Sequence, residues 1–196
     1  IQPTGTATPT ARSGYAATFD PASGCILLFG GVDASGRQGD TWLLCGDRWE
    51  PITPALSPGA RSQASMAYDP GLDRVVLFGG LDASGDPLAD TWLWNGATRA
   101  WNDVTQGTPP TARYGHQLVY DTGRSAVLLF GGVTLGPTTW LQDTHTFNGT
   151  LWSVVTTTTA PDRRYIHALT VDPRTDRVVL FGGRDSSTFY HDTWEL

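Results

Sequence analysis

Lysine is absent from the 196 residues, and glutamate occurs only twice. All 13 basic residues are therefore Arg, and the acidic side is almost entirely Asp. The balance is a net charge of −6 with a pI near 5.0. An acidic chain of this kind argues against nucleic acid or an anionic membrane surface as the main partner. The missing Lys reads as a compositional bias with no mechanism attached. No apolar run reaches the roughly 20 residues that a membrane-spanning helix needs. A signal-like apolar stretch and an initiating Met are also lacking, so the sequence reads as a mature form, a processed fragment or an excised piece. No Gly-x-Ser-x-Gly elbow, zinc-protease helix or phosphate loop occurs, which leaves nucleophilic catalysis without support and points away from an enzyme. Cysteine is nearly absent too, with only Cys25 and Cys45.

What the chain has in quantity is 23 Gly, 13 Pro and eight Trp, the composition of short strands and many turns. Its organising feature is an apolar run ending in a Gly pair, followed by Asp-Thr-Trp. Leu27-Leu28-Phe29-Gly30-Gly31 leads to Asp40-Thr41-Trp42, and Val76-Leu77-Phe78-Gly79-Gly80 to Asp90-Thr91-Trp92. Leu128-Leu129-Phe130-Gly131-Gly132 leads to Asp143-Thr144-His145, and Val179-Leu180-Phe181-Gly182-Gly183 to Asp192-Thr193-Trp194. The second Gly advances by 49, 52 and 51 residues, a period that means a repeat array. Each run reads as a buried strand stopping at a turn that only Gly enters freely.

Aligning the Gly pairs aligns the rest. Arg12, Arg61, Arg113 and Arg164 open a strand-like stretch, and Asp20, Asp69, Asp121 and Asp172 close it eight residues later at a hairpin turn. A third strand starts at Asp-Thr-Trp and ends at Asn95-Gly96 or Asn148-Gly149, a two-residue hairpin signal. A fourth carries Trp49, Trp101 or Trp152. The unit is thus four antiparallel strands, repeated over approximately 5–52, 53–104, 105–155 and 156–196, the last completed by 1–4, in one domain spanning 1–196. Both termini fall on the same hairpin, so residues 1–4 are expected to pair as the outer strand beside Asp192–Leu196 and close the ring. The alternative is a piece of a longer array, with self-association through the open edges.

Hydrophobic-Gly-Gly, an aromatic and a Trp at a spacing near 50 resemble the kelch repeat over essentially the whole chain. The usual Tyr between Gly-Gly and Trp is replaced by Asp-Thr-Trp, a pattern similar to bacterial kelch-type arrays. The resemblance implies an all-β fold, a β-propeller of four four-stranded blades with the Arg-led strand innermost and the Trp strand outermost. Kelch propellers usually have six or seven blades. The likeness also implies a binding or assembly module without enzymatic activity or cofactor, acting on a protein through the propeller mouth. A carbohydrate-binding propeller and an enzyme with a metal in the channel are the rival readings. The Tyr-Cys linkage of kelch-related copper oxidases has no counterpart setting here.

Several residues are candidates for that mouth. Arg12, Arg61, Arg113 and Arg164 would converge there, where guanidinium groups bind carboxylate or phosphate bidentately. The competing expectation is that each pairs with Asp40, Asp90, Asp143 or Asp192 and staples the blades. Arg113 and Arg164 are the expected exceptions, flanked by Tyr114, His116, Tyr165 and His167. The two histidines on neighbouring inner strands could share a metal, although two ligands without a third make a weak pattern. Asp33 and Asp82 head loops that faintly resemble Ca²⁺ loops but lack the closing Glu, and suit Asp-initiated turns better. Trp140, Phe189 and Tyr190 lie in loops that differ between units and are candidates for partner contact or sugar stacking. Cys25 and Cys45 flank the first such loop symmetrically, which predicts a cross-strand disulfide and an extracellular or cell-surface setting. Asn148-Gly149-Thr150 is a glycosylation sequon on a hairpin tip.

Overall fold

The reason these segments form strands is visible in their register. A computed structural model of the protein describes residues 7–196, and the described residues contain strands and turns without helices. The first blade pairs β1 (Ala16–Asp20), β2 (Cys25–Phe29), β5 (Thr41–Cys45) and β6 (Arg48–Ile52) in that order. Between β2 and β5 lies a small ribbon of β3 (Val32–Asp33) and β4 (Gly36–Arg37). The second blade runs β7 (Ser65–Asp69), β8 (Arg74–Phe78), β9 (Thr91–Asn95) and β10 (Ala100–Asp103) from inside to outside. In the third, β11 (Gln117–Asp121), β12 (Ala126–Phe130), β15 (Thr144–Phe147) and β16 (Trp152–Val155) pair in order, with the ribbon β13 (Val133–Thr134) and β14 (Thr139–Trp140) in the loop. The fourth contains β17 (Ala168–Asp172), β18 (Arg177–Phe181) and β19 (Thr193–Glu195) among the described residues. Every pairing is antiparallel.

The inner strands pack in sequence, β1 on β7, β7 on β11 and β11 on β17. Side chains alternate between the two faces of each blade, so the central strands of blades 2 and 3 each feed two cores. Leu27 and Phe29 pack with Leu77, Trp94 and Trp101 between blades 1 and 2. Val76 and Phe78 pack with Val127, Leu129 and Phe147 between blades 2 and 3. Leu128, Phe130 and Leu180 fill the junction of blades 3 and 4. The outward faces of the end blades are open: Phe19 on blade 1 is 54% exposed and Phe181 on blade 4 is 53% exposed. The four blades thus form an arc over the described residues. The expected closing strand, residues 1–4, lies outside those residues.

Turn chemistry follows the sequence in the first hairpin of each blade and departs from it in the second. Asp20, Asp69 and Asp121 are buried, and their carboxylates accept backbone N–H bonds from the turn that follows, such as Gly71 and Leu72 to Asp69. The Asn-Gly hairpins are four residues long rather than two. Asn95 pairs with Ala100, and its Oδ1 accepts from the N–H groups of Ala97 and Thr98 while Arg99 takes a left-handed φ of 54°. Asn148 does the same for Thr150 and Leu151. The two-residue turn is instead Gly46-Asp47, between Cys45 and Arg48. Cys25 and Cys45 form the expected disulfide, with Cα atoms 4.6 Å apart, one step beyond the Ile26–Leu44 pair of β2 and β5.

Candidate functional site

The Asp-Thr-Trp motif is a junction device, and each of its residues has a separate task. Asp40, Asp90, Asp143 and Asp192 each receive a bidentate guanidinium: Arg12 at 2.5 and 2.9 Å, Arg61 at 2.6 and 2.7 Å, Arg113 at 2.6 and 2.8 Å, Arg164 at 2.5 and 2.9 Å. The residue two positions on adds a third donor. Trp42, Trp92 and Trp194 each give their Nε1–H to the same carboxylate at 2.7 Å. In blade 3 His145 replaces the Trp and keeps the contact, its Nε2 lying 2.8 Å from Asp143. The intervening Thr faces the next blade. Thr41 Oγ1 accepts from Trp101 Nε1 at 3.0 Å, and Thr91 Oγ1 from Trp152 Nε1 at 2.9 Å. Burial pushes the Asp90 carboxyl up, but the Arg61 fork and the Trp92 indole outweigh it and hold the group below the usual carboxylate range.

The Arg residues are correspondingly spent. Arg61, Arg113 and Arg164 are buried at 2%, 0% and 0% exposure, and the side chain of Arg12 at 4%. Each also donates Nη1 to the first glycine's carbonyl, as Arg61 does to Gly79 at 3.0 Å. The expectation that Arg113 and Arg164 would point unpaired into the mouth is therefore overturned. They are the two most deeply buried of the four, and the Tyr190 ring covers Arg164 with Cζ 4.0 Å from its centroid. The ring of Arg is a set of staples, with no fork left to receive a ligand carboxylate.

The Gly pair has a tertiary reason that its sequence context does not reveal. Gly31, Gly80 and Gly132 donate their N–H to the carbonyls of Arg61, Arg113 and Arg164 on the following blade. A Cβ on the preceding glycine would stand 2.5 to 2.7 Å from those same carbonyls. Only a residue without a side chain allows that approach. A second row runs along the inner rim. Gln63 donates to Gly14, Gly115 to Gln63 and Ile166 to Gly115 through their backbones, and all four residues have left-handed φ between 49° and 65°.

His116 and His167 do not face the mouth. They are 1% and 3% exposed, sit edge-on against Phe78 and Phe130 at 5.4 Å, and have no hydrogen-bond partner at either ring nitrogen. Burial, with Arg113 beside one and Arg164 beside the other, pushes both down to about 3, so both are neutral packing groups at neutral pH. Among the described residues no three His, Cys, Asp or Glu side chains are grouped to hold a metal ion. Asp33 and Asp82 head side-chain-capped turns, accepting from Ser35 and from Ser84 and Asp86.

What the mouth does present is aromatic. Tyr15 is 48% exposed, Ile166 54% and Phe189 76%. Tyr114 and Tyr165 meet edge-on at 6.5 Å, and Arg184 donates Nε–H to the Tyr165 hydroxyl at 2.9 Å. Arg184 also lies 5.3 Å from the ring centres of both Tyr165 and Phe189. A hollow of about 360 Å³ opens beside this group, bounded by Ile166, Phe181, Arg184, Phe189 and Tyr190. Trp140, on its ribbon, is half-buried and its Nε1–H has no partner. Arg184 carried no sequence signal, since it follows a Gly pair in one blade alone.

The model of the KLHDC2/KLHL20/DRC7 Kelch-repeats domain matches residues 1–148 and again 72–196. This chain belongs to the kelch-repeat family. It is also similar to the mouse protein named multiple epidermal growth factor-like domains protein 8, with 30% identity over 197 residues and 94% of this chain covered. The chain spans 7% of that relative's length. Kelch propellers generally serve as protein-interaction domains and are typically non-enzymatic. No helix among the described residues is long and apolar enough to cross a membrane.

Proposed function

We propose that this kelch domain is a non-enzymatic protein-binding module whose contact surface is the mouth of blades 3 and 4, acting in an extracellular or cell-surface setting. One observation carries the reading: the aromatic and Arg group of Tyr114, Tyr165, Arg184 and Phe189 stands at the rim, while the four repeated Arg are consumed within the fold. Aromatic and Arg side chains are the usual energetic anchors of protein interfaces, and Phe189 at 76% exposure has its whole ring to bury. The hollow of about 360 Å³ beside it can take one apolar side chain of a partner. The Cys25–Cys45 disulfide supports an oxidising compartment. So does the name of the mouse relative, since epidermal growth factor-like domains are a disulfide-dense, secreted class.

The test is selection of peptides from a displayed library on the folded domain, followed by affinity measurement against variants. Arg184→Ala and Phe189→Ala should each weaken selected binders by about tenfold or more, as loss of an interface anchor does. Binders indifferent to both variants would place the interaction surface elsewhere. The exposed rings also favour a second reading, stacking on sugar faces, and a glycan array separates the two: saturable binding to a glycan, lost in Phe189→Ala, selects the carbohydrate reading.

A further inference from the structure

Two hairpins carry the same dipeptide in different surroundings. Asn95-Gly96 and Asn148-Gly149 are the two Asn-Gly steps of the chain, each at the tip between the third and fourth strands of a blade. An Asn followed by Gly can react with its own main chain. The Gly nitrogen attacks the side-chain Cγ, the new C–N bond closes a five-membered imide, and ammonia leaves from Nδ2. Water then opens the imide at either carbonyl and gives Asp or isoAsp, so each Asn consumes one water and releases one ammonia. Gly at the second position leaves the attacking nitrogen with no side chain beside it.

At Asn148 the structure favours each step. Negative charge gathers on Oδ1 as the nitrogen attacks, and Oδ1 already accepts from the N–H groups of Thr150 at 3.0 Å and Leu151 at 2.9 Å. Donors at that distance stabilise a developing oxyanion. Asn148 is exposed and lies one residue past the end of β15, so ammonia can leave and water can reach the imide. Gly149 has a left-handed φ of 96°, and the end of the Leu72 side chain lies against it, an uncharged neighbour that can move aside.

At Asn95 the fold opposes the same steps. This residue ends β9 and is held in register with Ala100, and its Oδ1 accepts at the longer distances of 3.1 and 3.2 Å. Gly96 is buried, and a Cβ on it would stand 2.0 Å from Oδ2 of Asp20. That carboxylate comes from blade 1, is itself buried, and is fixed by the Ser23 hydroxyl and the Trp94 indole. It sets a negative charge beside the Gly whose nitrogen must give up its proton, and like charge close by in a buried place disfavours that loss. It also keeps out the water that would open the imide.

We propose that Asn148 is a self-modification site, converted to Asp and isoAsp in the folded protein, and that Asp20 shields Asn95 from the same fate. The conversion puts one new negative charge on the tip of the outer hairpin of blade 3. Asp keeps an acceptor for the Thr150 and Leu151 N–H groups. In isoAsp the main chain runs through the former side chain, which lengthens the turn by one carbon and removes the cap. The reaction needs only water and is independent of any partner at the mouth.

The whole protein, incubated in neutral buffer at body temperature, provides the test, with both sites followed by peptide mass spectrometry and isoaspartate methyltransferase labelling. In the folded protein Asn148 should convert about tenfold or more faster than Asn95, which reacts only when its hairpin opens. In urea the two steps should convert at comparable rates, because the Asp20 shield is gone. Near-equal rates in the folded protein, a faster Asn95, or an Asn148 that reacts in urea but stays intact in the folded protein would each overturn the proposal.

Discussion

Removing the two halves of one staple should not cost the same, because the two partners are buried to different depths. At the second blade the Arg61 side chain is 2% exposed and that of Asp90 is 23% exposed. Asp90→Ala strands a buried guanidinium within blade 2. Arg61 keeps two carbonyl acceptors, Gly59 at 3.1 Å and Gly79 at 3.0 Å, but loses both carboxylate bonds. Breaking a buried pair from that side costs on the order of 3–5 kcal/mol. Arg61→Leu leaves the opposite orphan, a carboxylate that still accepts the Trp92 indole and still touches water. Its cost should be nearer 1–3 kcal/mol, the penalty for a polar group left partly unsatisfied. The double variant should cost less than the two singles added, with a coupling of about 1–3 kcal/mol. Urea unfolding of the four proteins reads all three quantities. If Asp90→Ala costs no more than Arg61→Leu, or both fall within about 0.5 kcal/mol of the parent, the reasoning from asymmetric burial is wrong.

Acid should unfold the protein earlier than its carboxylates alone would dictate. His116 and His167 titrate near 6.5 when unfolded and are pushed to about 3 when folded, so below pH 6.5 the unfolded chain binds more protons and stability falls as pH drops. Each should cost about 2 kcal/mol by pH 5, and the variant with both histidines changed to Phe should flatten the curve between pH 6.5 and 4.5. The staple carboxylates act lower: their folded values lie below 3.8, so their contribution is present above that pH and disappears beneath it. Reduction of Cys25–Cys45, which closes a loop with a sequence separation of 20, should cost roughly 3 kcal/mol, and unfolding midpoints unchanged by reductant would refute that.

The fold was largely legible because its marks are local and repeated. A Gly pair, an Asp that heads a turn and alternating apolar residues each act within a few positions, and four copies remove the ambiguity of one. The Cys25–Cys45 pairing was readable for the same reason, being a question of hairpin register. The second hairpin was misread because Asn95 and Asn148 use their side chains to cap a longer turn, an option that Asn-Gly leaves open as readily as the two-residue one. Candidate site residues fared worse. The Arg–Asp pairing was one of two expectations, but the indole bonds to Asp, and the Thr that receives a Trp about 60 residues away, are tertiary contacts without a local signature. His116 and His167 were candidates for the mouth because a sequence does not show which face of an inner strand meets a neighbouring Phe.

Repetition itself separates structure from recognition in this molecule. A residue present in every unit has the same neighbours in every unit, so its polar groups are already satisfied; Arg12, Arg61, Arg113 and Arg164 show this fully. Capacity for a ligand is left where the units diverge. The residue three after each Arg is Tyr15, Ala64, His116 or His167, and the divergence is absorbed inside the fold for both histidines. The loop after each Gly pair diverges at the surface instead, with Arg37 held by Ser62 in the first blade and Arg184 set between Tyr165 and Phe189 in the fourth. Blade 4 is thus the place where the repeat stops repeating at the rim, through Arg184 and Phe189. That contrast within one sequence is why the rim of blade 4 is the surface proposed for a partner.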